Sequence, residues 1–153
     1  KILAPGLRLG WIQTSPKVLE KLTKYGVIAS GGGLNPFTSV VVKRVLELGF
    51  QTNYLTHIKR LYGECSSTLV RAVHEHLPKL KIADVQGGYF VWLRLPGVDT
   101  SKLLTRASSH KVAFQPGRRF SGQGELKEYL RVCFAYYSPE ALREGIKRFK
   151  EIM

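Results

Sequence analysis

Apolar residues recur at steps of three or four through the middle of the chain, from about Phe50 to Leu77. That spacing predicts one helix of about seven turns, roughly 40 Å long at about 1.5 Å per residue. A helix of this length in a chain of 153 residues usually spans two layers or two domains. The apolar positions that define it are Leu55, Ile58, Leu61, Cys65, Leu69, Val73 and Leu77.

Two shorter helices are predicted before the long one. Ser15-Pro16 and Asn35-Pro36 each place a capping side chain directly before a proline. Proline suits the first helical position because its missing N–H would be unpaired there. Between the two helices, the glycine-rich residues 29–35 predict a loop.

Beyond Pro78 the apolar period changes to two, which predicts strands. Residues 80–85 and 89–95 are predicted strands joined by a tight turn, and the second is rich in aromatic and branched residues, so it is expected to be central and buried. The pattern therefore predicts an α/β chain whose C-terminal part is a small α+β unit, a sheet covered by helices. Its later elements are a helix from Asp99 or Thr100 to about His110, strands over 112–114 and 129–136, and a last helix from Ser138-Pro139.

The chain carries a formal net charge of +13, from 24 Lys and Arg against 11 Asp and Glu. Such a charge suits nucleic acid, anionic lipid or an anionic substrate. The cations are dispersed along the polar sides of the predicted helices, and the sequence shows neither an aromatic-interleaved RNA motif nor a recognition-helix pattern. Nucleic acid is therefore not the expected partner, and acidic residues outside this sequence are expected to balance the charge.

Composition also bears on membranes, thiols and metals. No apolar run approaches the ~20 residues needed to cross a bilayer, so no membrane association is expected, and the cytoplasm is the expected location. Cys65 and Cys133 fall in a predicted helix and a predicted strand, so two buried free thiols are expected rather than a disulfide. The four histidines lack metal-ligand spacing, and no metal site is predicted.

Lys1 and Arg8 form the first candidate for chemistry. They flank the turn at Pro5-Gly6, and Arg8 falls in a strand predicted from Leu7 to Ile12. A lysine amine becomes a nucleophile when its pKa is lowered, and a guanidinium forks onto phosphate oxygens. The pair therefore suits a ligand with an electrophilic carbon and a phosphate, although by spacing alone solvated surface charge is the commoner arrangement.

Arg131 is the second candidate. It lies in the predicted strand 129–136, on the face that also carries Cys133 and Ala135, so its guanidinium is expected to have room between small side chains. A cation inside an apolar strand needs a partner, and a carboxylate is the bidentate match. From the residues alone, both an internal Asp or Glu and the carboxylate of a ligand remain open.

The opening segment KILAPGLRLGW closely resembles the one that carries the cofactor lysine in fold-type I aminotransferases of class I/II, which depend on pyridoxal 5'-phosphate. Within that class the kynurenine and 2-aminoadipate aminotransferases are most similar. The resemblance implies that Lys1 attaches the cofactor covalently through its ε-amine and is the catalytic residue. It also implies that Arg8 holds the cofactor phosphate.

Later segments carry the same resemblance. Arg131 aligns with the arginine that binds the α-carboxylate of the substrate. A Gly-Leu-Asn-Pro-Phe segment similar to the one here lines the active-site mouth in the family, which implies that Leu34 and Asn35 are neighbours of the site. Arg118 and Arg119 depart from the small or neutral residues expected after Pro-Gly, so the resemblance does not fix the substrate.

The resemblance implies a domain organisation. Residues 1–49 are the end of a large cofactor-binding domain, residues 50–77 are the linking helix, and residues 78–153 are the small C-terminal domain. In the family the cofactor lysine lies well inside the sequence, and other cofactor contacts precede it. The chain is therefore expected to be the C-terminal part of a longer enzyme and to be inactive in isolation.

The implied function is transfer of an amino group from an aromatic or 2-aminoadipate-type amino acid to a 2-oxo acid such as 2-oxoglutarate. The full-length protein is expected to be a homodimer. The alternative is a sensor: some transcription regulators join a winged helix to an aminotransferase-like domain, and the basic charge is compatible with that class.

Overall fold

The computed structural model describes residues 3–31 and 35–153. The chain divides into two compact units, Lys1–Ile58 and Lys59–Met153, and the division falls inside a long helix. That helix is the fourth α-helix, α4 (Phe50–His76), and it confirms the helix predicted from the apolar spacing.

Three helices precede α4 in the first unit: α1 (Pro16–Thr23), α2 (Gly26–Gly31) and α3 (Pro36–Glu47). Helix α3 begins as its sequence predicts, because the Asn35 side chain accepts a hydrogen bond from the Thr38 N–H at 3.1 Å. None of the three helices contains a buried residue.

Two local predictions for the first unit were wrong. Residues 7–12 do not form a strand: Pro5–Leu7 is a 3-10 turn, and Arg8 adopts the left-handed conformation with φ of 53°. A strand needs a neighbour to satisfy its backbone hydrogen bonds, and the described part of this unit contains no strand. The predicted loop over 29–35 is helical up to Gly31, where α2 ends, and Gly32, Gly33 and Leu34 lie outside the described residues.

The second unit is built on a three-stranded antiparallel sheet. Its strands are β1 (Phe90–Arg94), β2 (Gln115–Pro116) and β3 (Tyr129–Cys133), in the order β1-β3-β2. Helices α5 (Thr100–Ser109) and α6 (Pro139–Glu151) complete the unit together with the second half of α4. The sheet and these helices share one hydrophobic core, whose most buried members include Leu69, Val73, Leu93, Leu130, Phe134 and Phe149.

The prediction that residues 89–95 form the central strand was wrong. In the described sheet β3 is central, while residues 80–85 contribute only a bridge between Ile82 and Leu93. The dense apolar content of β1 reports burial of one face, since Leu93 is buried and Trp92 is exposed. Side-chain burial does not show how many strands pair with a given strand. The apolar pattern of residues 89–95 therefore did not show that β3 is the central strand.

Gly117 is packed too closely to accept a side chain. It opens the 3-10 turn Gly117–Phe120, and an added Cβ would meet the carbonyl oxygen of Leu126 and lie 2.8 Å from both the Cβ and the carbonyl oxygen of Tyr129. Two of these atoms belong to the backbone and cannot rotate away. The close approach therefore fixes the turn against β3.

Gly117→Ala is expected to lower the free energy of unfolding by about 2 to 3 kcal/mol, because the added methyl group overpacks the turn. Gly122→Ala is the matched control, since that glycine lies in open space with ordinary backbone angles. Urea unfolding of the two variants measures the difference. Equal stabilities would show that the turn relaxes freely and that Gly117 does not fix it.

None of the helices among the described residues is both long and apolar enough to cross a membrane.

Candidate active site

Arg131 lies in the middle of β3, opposite Trp92 of β1 and Gln115 of β2. Its guanidinium carbon is 3.8 Å from the centre of the Phe90 ring and 4.4 Å from the centre of the Phe120 ring. The sequence predicted room between small side chains, but two aromatic rings lie against the guanidinium and attract it through their negative faces.

The guanidinium of Arg131 lacks a carboxylate partner within the described parts of the chain. Its Nε atom is buried without a hydrogen-bond partner, and the ion pairs of residues 3–31 and 35–153 do not include it. A buried, unpaired charge is costly, and such groups concentrate at binding sites. Of the two partners left open by the sequence, the internal Asp or Glu is not found among the described residues.

The sequence analysis missed both aromatic rings. Phe90 was detectable in principle, because the strand register places it opposite Cys133 and hence diagonal to Arg131. Phe120 was not, since it ends an irregular turn whose path no periodic pattern encodes.

Arg118 and Arg119, the two residues of the turn that differ from the family pattern after Pro-Gly, both interact with other side chains of this chain. The guanidinium of Arg118 lies 3.1 Å from the carboxylate of Asp99, and that of Arg119 donates to the side-chain oxygen of Gln115 at 2.6 Å. Asp99 also caps α5 by accepting from the Ser101 N–H at 2.9 Å. This hydrogen bond, followed by the charge of Arg118, holds the pKa of the Asp99 carboxyl below its ordinary value.

The lowered pKa of Asp99 predicts a stability that depends on acid pH. The folded state favours the carboxylate, so its contribution is complete above the ordinary pKa of about 3.9 and is lost as the pH falls through the lower folded value. In Asp99→Asn the free energy of unfolding is therefore expected to fall less steeply below about pH 4. Urea unfolding between about pH 2.5 and 6 measures the two slopes, and identical slopes would contradict the assignment.

The remaining candidate residues belong to the first unit. Arg8 is exposed, and the ion pairs of the described residues do not include it, so its guanidinium is open to an anion. The side-chain oxygen of Asn35 is engaged in the cap of α3. Lys1 and Leu34 lie outside the described residues, so their assignments stay predictions.

Both cysteines are free, as predicted. Cys65 is buried with its sulfur 3.8 Å from the carbonyl oxygen of Tyr137, and burial raises the pKa of its thiol. Cys133 is only half-buried, so the prediction that both thiols are buried was wrong for this residue. The described residues also hold no cluster of three or more His, Cys, Asp or Glu side chains suited to a metal ion.

A mainly apolar cavity in the second unit does not include Arg131. It measures about 300 Å³ and lies between α6 and residues 111–114, with the half-buried Cys133 in its wall. Its polar rim contains Arg148 and Glu144, which are paired with each other at 2.8 Å. The unpaired guanidinium, rather than this cavity, marks the candidate site.

Residues 1–149 match the family described as aminotransferase class I and II. An aromatic-amino-acid aminotransferase of Thermococcus litoralis is 36% identical over 155 residues, which cover 99% of this chain and 36% of that protein. A helix-turn-helix-type transcriptional regulator of Bacillus subtilis is 29% identical over 152 residues, which cover 95% of this chain and 30% of the regulator.

Two solved structures are similar over nearly the whole chain. A kynurenine aminotransferase of Pyrococcus horikoshii, in complex with PMP, has a TM-score of 0.90 and 32% identity, covering 99% of this chain and 38% of that one. An α-aminoadipate aminotransferase of Thermus thermophilus, in complex with N-(5'-phosphopyridoxyl)-L-leucine, has a TM-score of 0.90 and 30% identity, covering 99% and 39%.

The chain spans little more than a third of the length of these aminotransferases. The family match confirms the resemblance carried by the KILAPGLRLGW segment, and the structural similarity confirms the predicted fold class. The complexed structures show that members of the family bind pyridoxal phosphate derivatives. This chain belongs to the class I and II aminotransferases.

Proposed function

We propose that the complete natural protein is a pyridoxal-phosphate-dependent aminotransferase. It transfers the amino group of an aromatic or 2-aminoadipate-type amino acid to a 2-oxo acid such as 2-oxoglutarate. Family membership supports the reaction, and the names of the similar enzymes support the substrate class. The observation that carries the proposal is the buried Nε of Arg131, which has no partner within the described chain.

Arg131 binds the α-carboxylate of the amino acid in this proposal. A carboxylate supplies the two acceptor oxygens and the negative charge that the guanidinium lacks among the described residues. The rings of Phe90 and Phe120 cover part of the half-buried cation, and the lower local dielectric strengthens its attraction for an anion. The site thus binds and orients the substrate through one charged contact.

The residues of the first unit fit the cofactor in part. Arg8 presents an exposed guanidinium without an acidic partner in the described chain, and this suits a phosphate. Lys1 would hold the cofactor through its ε-amine and would also move the proton at the α-carbon of the substrate. When bound, pyridoxal phosphate supplies the electron sink that stabilises the negative charge left at that carbon.

The proposal extends to assembly and location. The complete protein acts as a homodimer in the cytoplasm, and the 153-residue chain alone binds the cofactor weakly and turns over little. Light scattering of the complete protein gives its molar mass. Titration of the isolated chain with pyridoxal phosphate gives its affinity.

A direct assay tests the proposed reaction. The complete natural protein is mixed with pyridoxal phosphate, 2-oxoglutarate and one of three donors: phenylalanine, 2-aminoadipate or kynurenine. Glutamate formed in equal amount to the oxo acid from the donor is the expected result. Absence of glutamate with all three donors, in a protein that has bound the cofactor, would contradict the proposed substrates.

A sensor domain of a transcription regulator is the second candidate. The similarity to the Bacillus subtilis regulator and the net charge of +13 favour it. The two candidates differ in turnover and in DNA binding. A complete protein that binds amino acids and duplex DNA but forms no glutamate would establish the regulator and overturn the enzyme.

A further inference from the structure

We infer that Phe120 is a positioning residue that holds the guanidinium of Arg131 in the orientation that receives a carboxylate. The functional part of this inference rests on the proposed aminotransferase activity. The structural part rests on the contacts of the turn Gly117–Phe120.

Phe120 makes specific contacts while contributing little to the core. Its side chain is 41% exposed, yet its ring lies 4.4 Å from the guanidinium carbon of Arg131. The ring also meets that of Trp92 edge to face, with centroids 5.2 Å apart and an interplanar angle of 79°. An aromatic ring at this exposure is not explained by burial alone, whereas contact with a cation gives it a role.

The turn that carries Phe120 is anchored at three places. The backbone at Gly117 packs against Tyr129 of β3, leaving no space for a Cβ. Arg118 pairs with Asp99 at the start of α5, and Arg119 is hydrogen-bonded to Gln115 of β2. These anchors precede Phe120 directly in the sequence, so the position of its ring is fixed by the scaffold and not by its own burial.

A fixed ring matters because Arg131 has few other restraints. A free arginine side chain samples many rotamers, and the Nε of Arg131 lacks a hydrogen bond among the described residues that would orient it. The contacts with Phe120 and with Phe90 of β1 therefore limit where the guanidinium points. Orienting the cation before the carboxylate arrives reduces the entropy lost on binding.

Two substitutions separate the aromatic contact from simple volume. In the complete natural protein, Phe120→Leu is expected to raise the KM for the amino donor about tenfold, with kcat and the cofactor absorbance retained. Phe120→Tyr keeps the ring face and is expected to restore KM to within about twofold. Tyr136→Leu, at another exposed aromatic residue of the second unit, is the control and is expected to leave KM unchanged.

A spectroscopic measurement on the 153-residue chain tests the contact without any activity. The Nε–H proton of Arg131 is expected to resonate upfield of other arginine Nε–H protons because it lies beside two aromatic rings. Phe120→Leu is expected to move this signal downfield, and Phe120→Tyr to leave it in place. An unchanged signal in Phe120→Leu would overturn the inference whatever the kinetics.

The Nε–H signal and the KM distinguish failure of the inference from failure of the proposed function. If the Nε–H signal moves but KM is unchanged in Phe120→Leu, the contact exists without a positioning role, and the inference is overturned. If the wild-type protein transfers no amino group while the signal moves as expected, the proposed function fails and the structural contact stands.

Discussion

Lys1→Ala in the complete natural protein is expected to lower kcat for amino-group transfer by about a thousandfold. The substitution removes the amine that is proposed to attach the cofactor and to move the proton at the substrate α-carbon. The loss of either proposed role is expected to slow the reaction. Stopped assays of glutamate formation measure the loss.

Lys17→Ala is the matched control for this substitution. Lys17 is an exposed lysine of α1 and participates in none of the ion pairs of the described residues, so its removal is expected to leave kcat unchanged. A Lys1→Ala protein with normal turnover and an unchanged cofactor absorbance would remove Lys1 from the mechanism.

Arg131→Met is expected to raise the KM for the amino donor on the order of a hundredfold, because the half-buried guanidinium is the proposed carboxylate contact. The cofactor absorbance is expected to persist, since the variant keeps both Lys1 and Arg8, the residues proposed to hold the cofactor. Arg94→Gln is the control. That arginine lies on the neighbouring strand but pairs with Glu128 at 3.0 Å, and its loss is expected to leave KM unchanged.

Arg131→Met is expected to weaken substrate binding without lowering the stability of the fold. The Nε of Arg131 is buried without a hydrogen-bond partner among the described residues, which is costly, whereas the apolar side chain of methionine is expected to pack beside Phe90 and Phe120 without that cost. The free energy of unfolding of the chain is therefore expected to be equal or higher. A clear loss of stability together with an unchanged KM would show that Arg131 serves the fold and not a ligand.

Helix boundaries were the features of the fold that the sequence predicted best. Asn35, Asp99 and Ser138 cap α3, α5 and α6 through hydrogen bonds to backbone N–H groups, as their positions before apolar periodic segments indicate. The long α4 was predicted to within one residue of its observed end at His76. Helix caps and apolar periodicity are local features, because each depends only on residues that are close in the sequence.

Strands were predicted less well because they depend on distant partners. Residues 7–12 have strand-like composition but no strand to pair with in the described first unit. Residues 80–85 alternate as a strand does, yet they form only the Ile82 bridge. Pairing is decided by the rest of the sheet, and a single segment does not encode it.

The sequence predicted Arg131 but not the aromatic residues around it, because their positions also depend on distant parts of the chain. Arg131 was identifiable because a cation inside an apolar strand is conspicuous in any sequence. The rings around it were not, since Phe90 depends on the strand register and Phe120 on an irregular turn. The apparent mismatch at Arg118 and Arg119 also has a structural explanation, because both side chains anchor that turn.

The sequence pattern did not predict that apolar side chains of the first unit would be exposed to solvent. Phe37 and Val40 are apolar residues of α3, yet Phe37 is 80% exposed and Val40 is 65% exposed. Apolar periodicity shows which face of a helix is suited to burial but not what covers it.

The central proposal is that Lys1 attaches pyridoxal phosphate and that Arg131 binds the carboxylate of the amino-acid substrate. Its most direct test is borohydride reduction of the complete natural protein with bound pyridoxal phosphate, followed by peptide mass spectrometry. The account predicts one phosphopyridoxyl group, located by fragmentation on the ε-amine of Lys1. A phosphopyridoxyl group found on another lysine, with Lys1 unmodified, would contradict it.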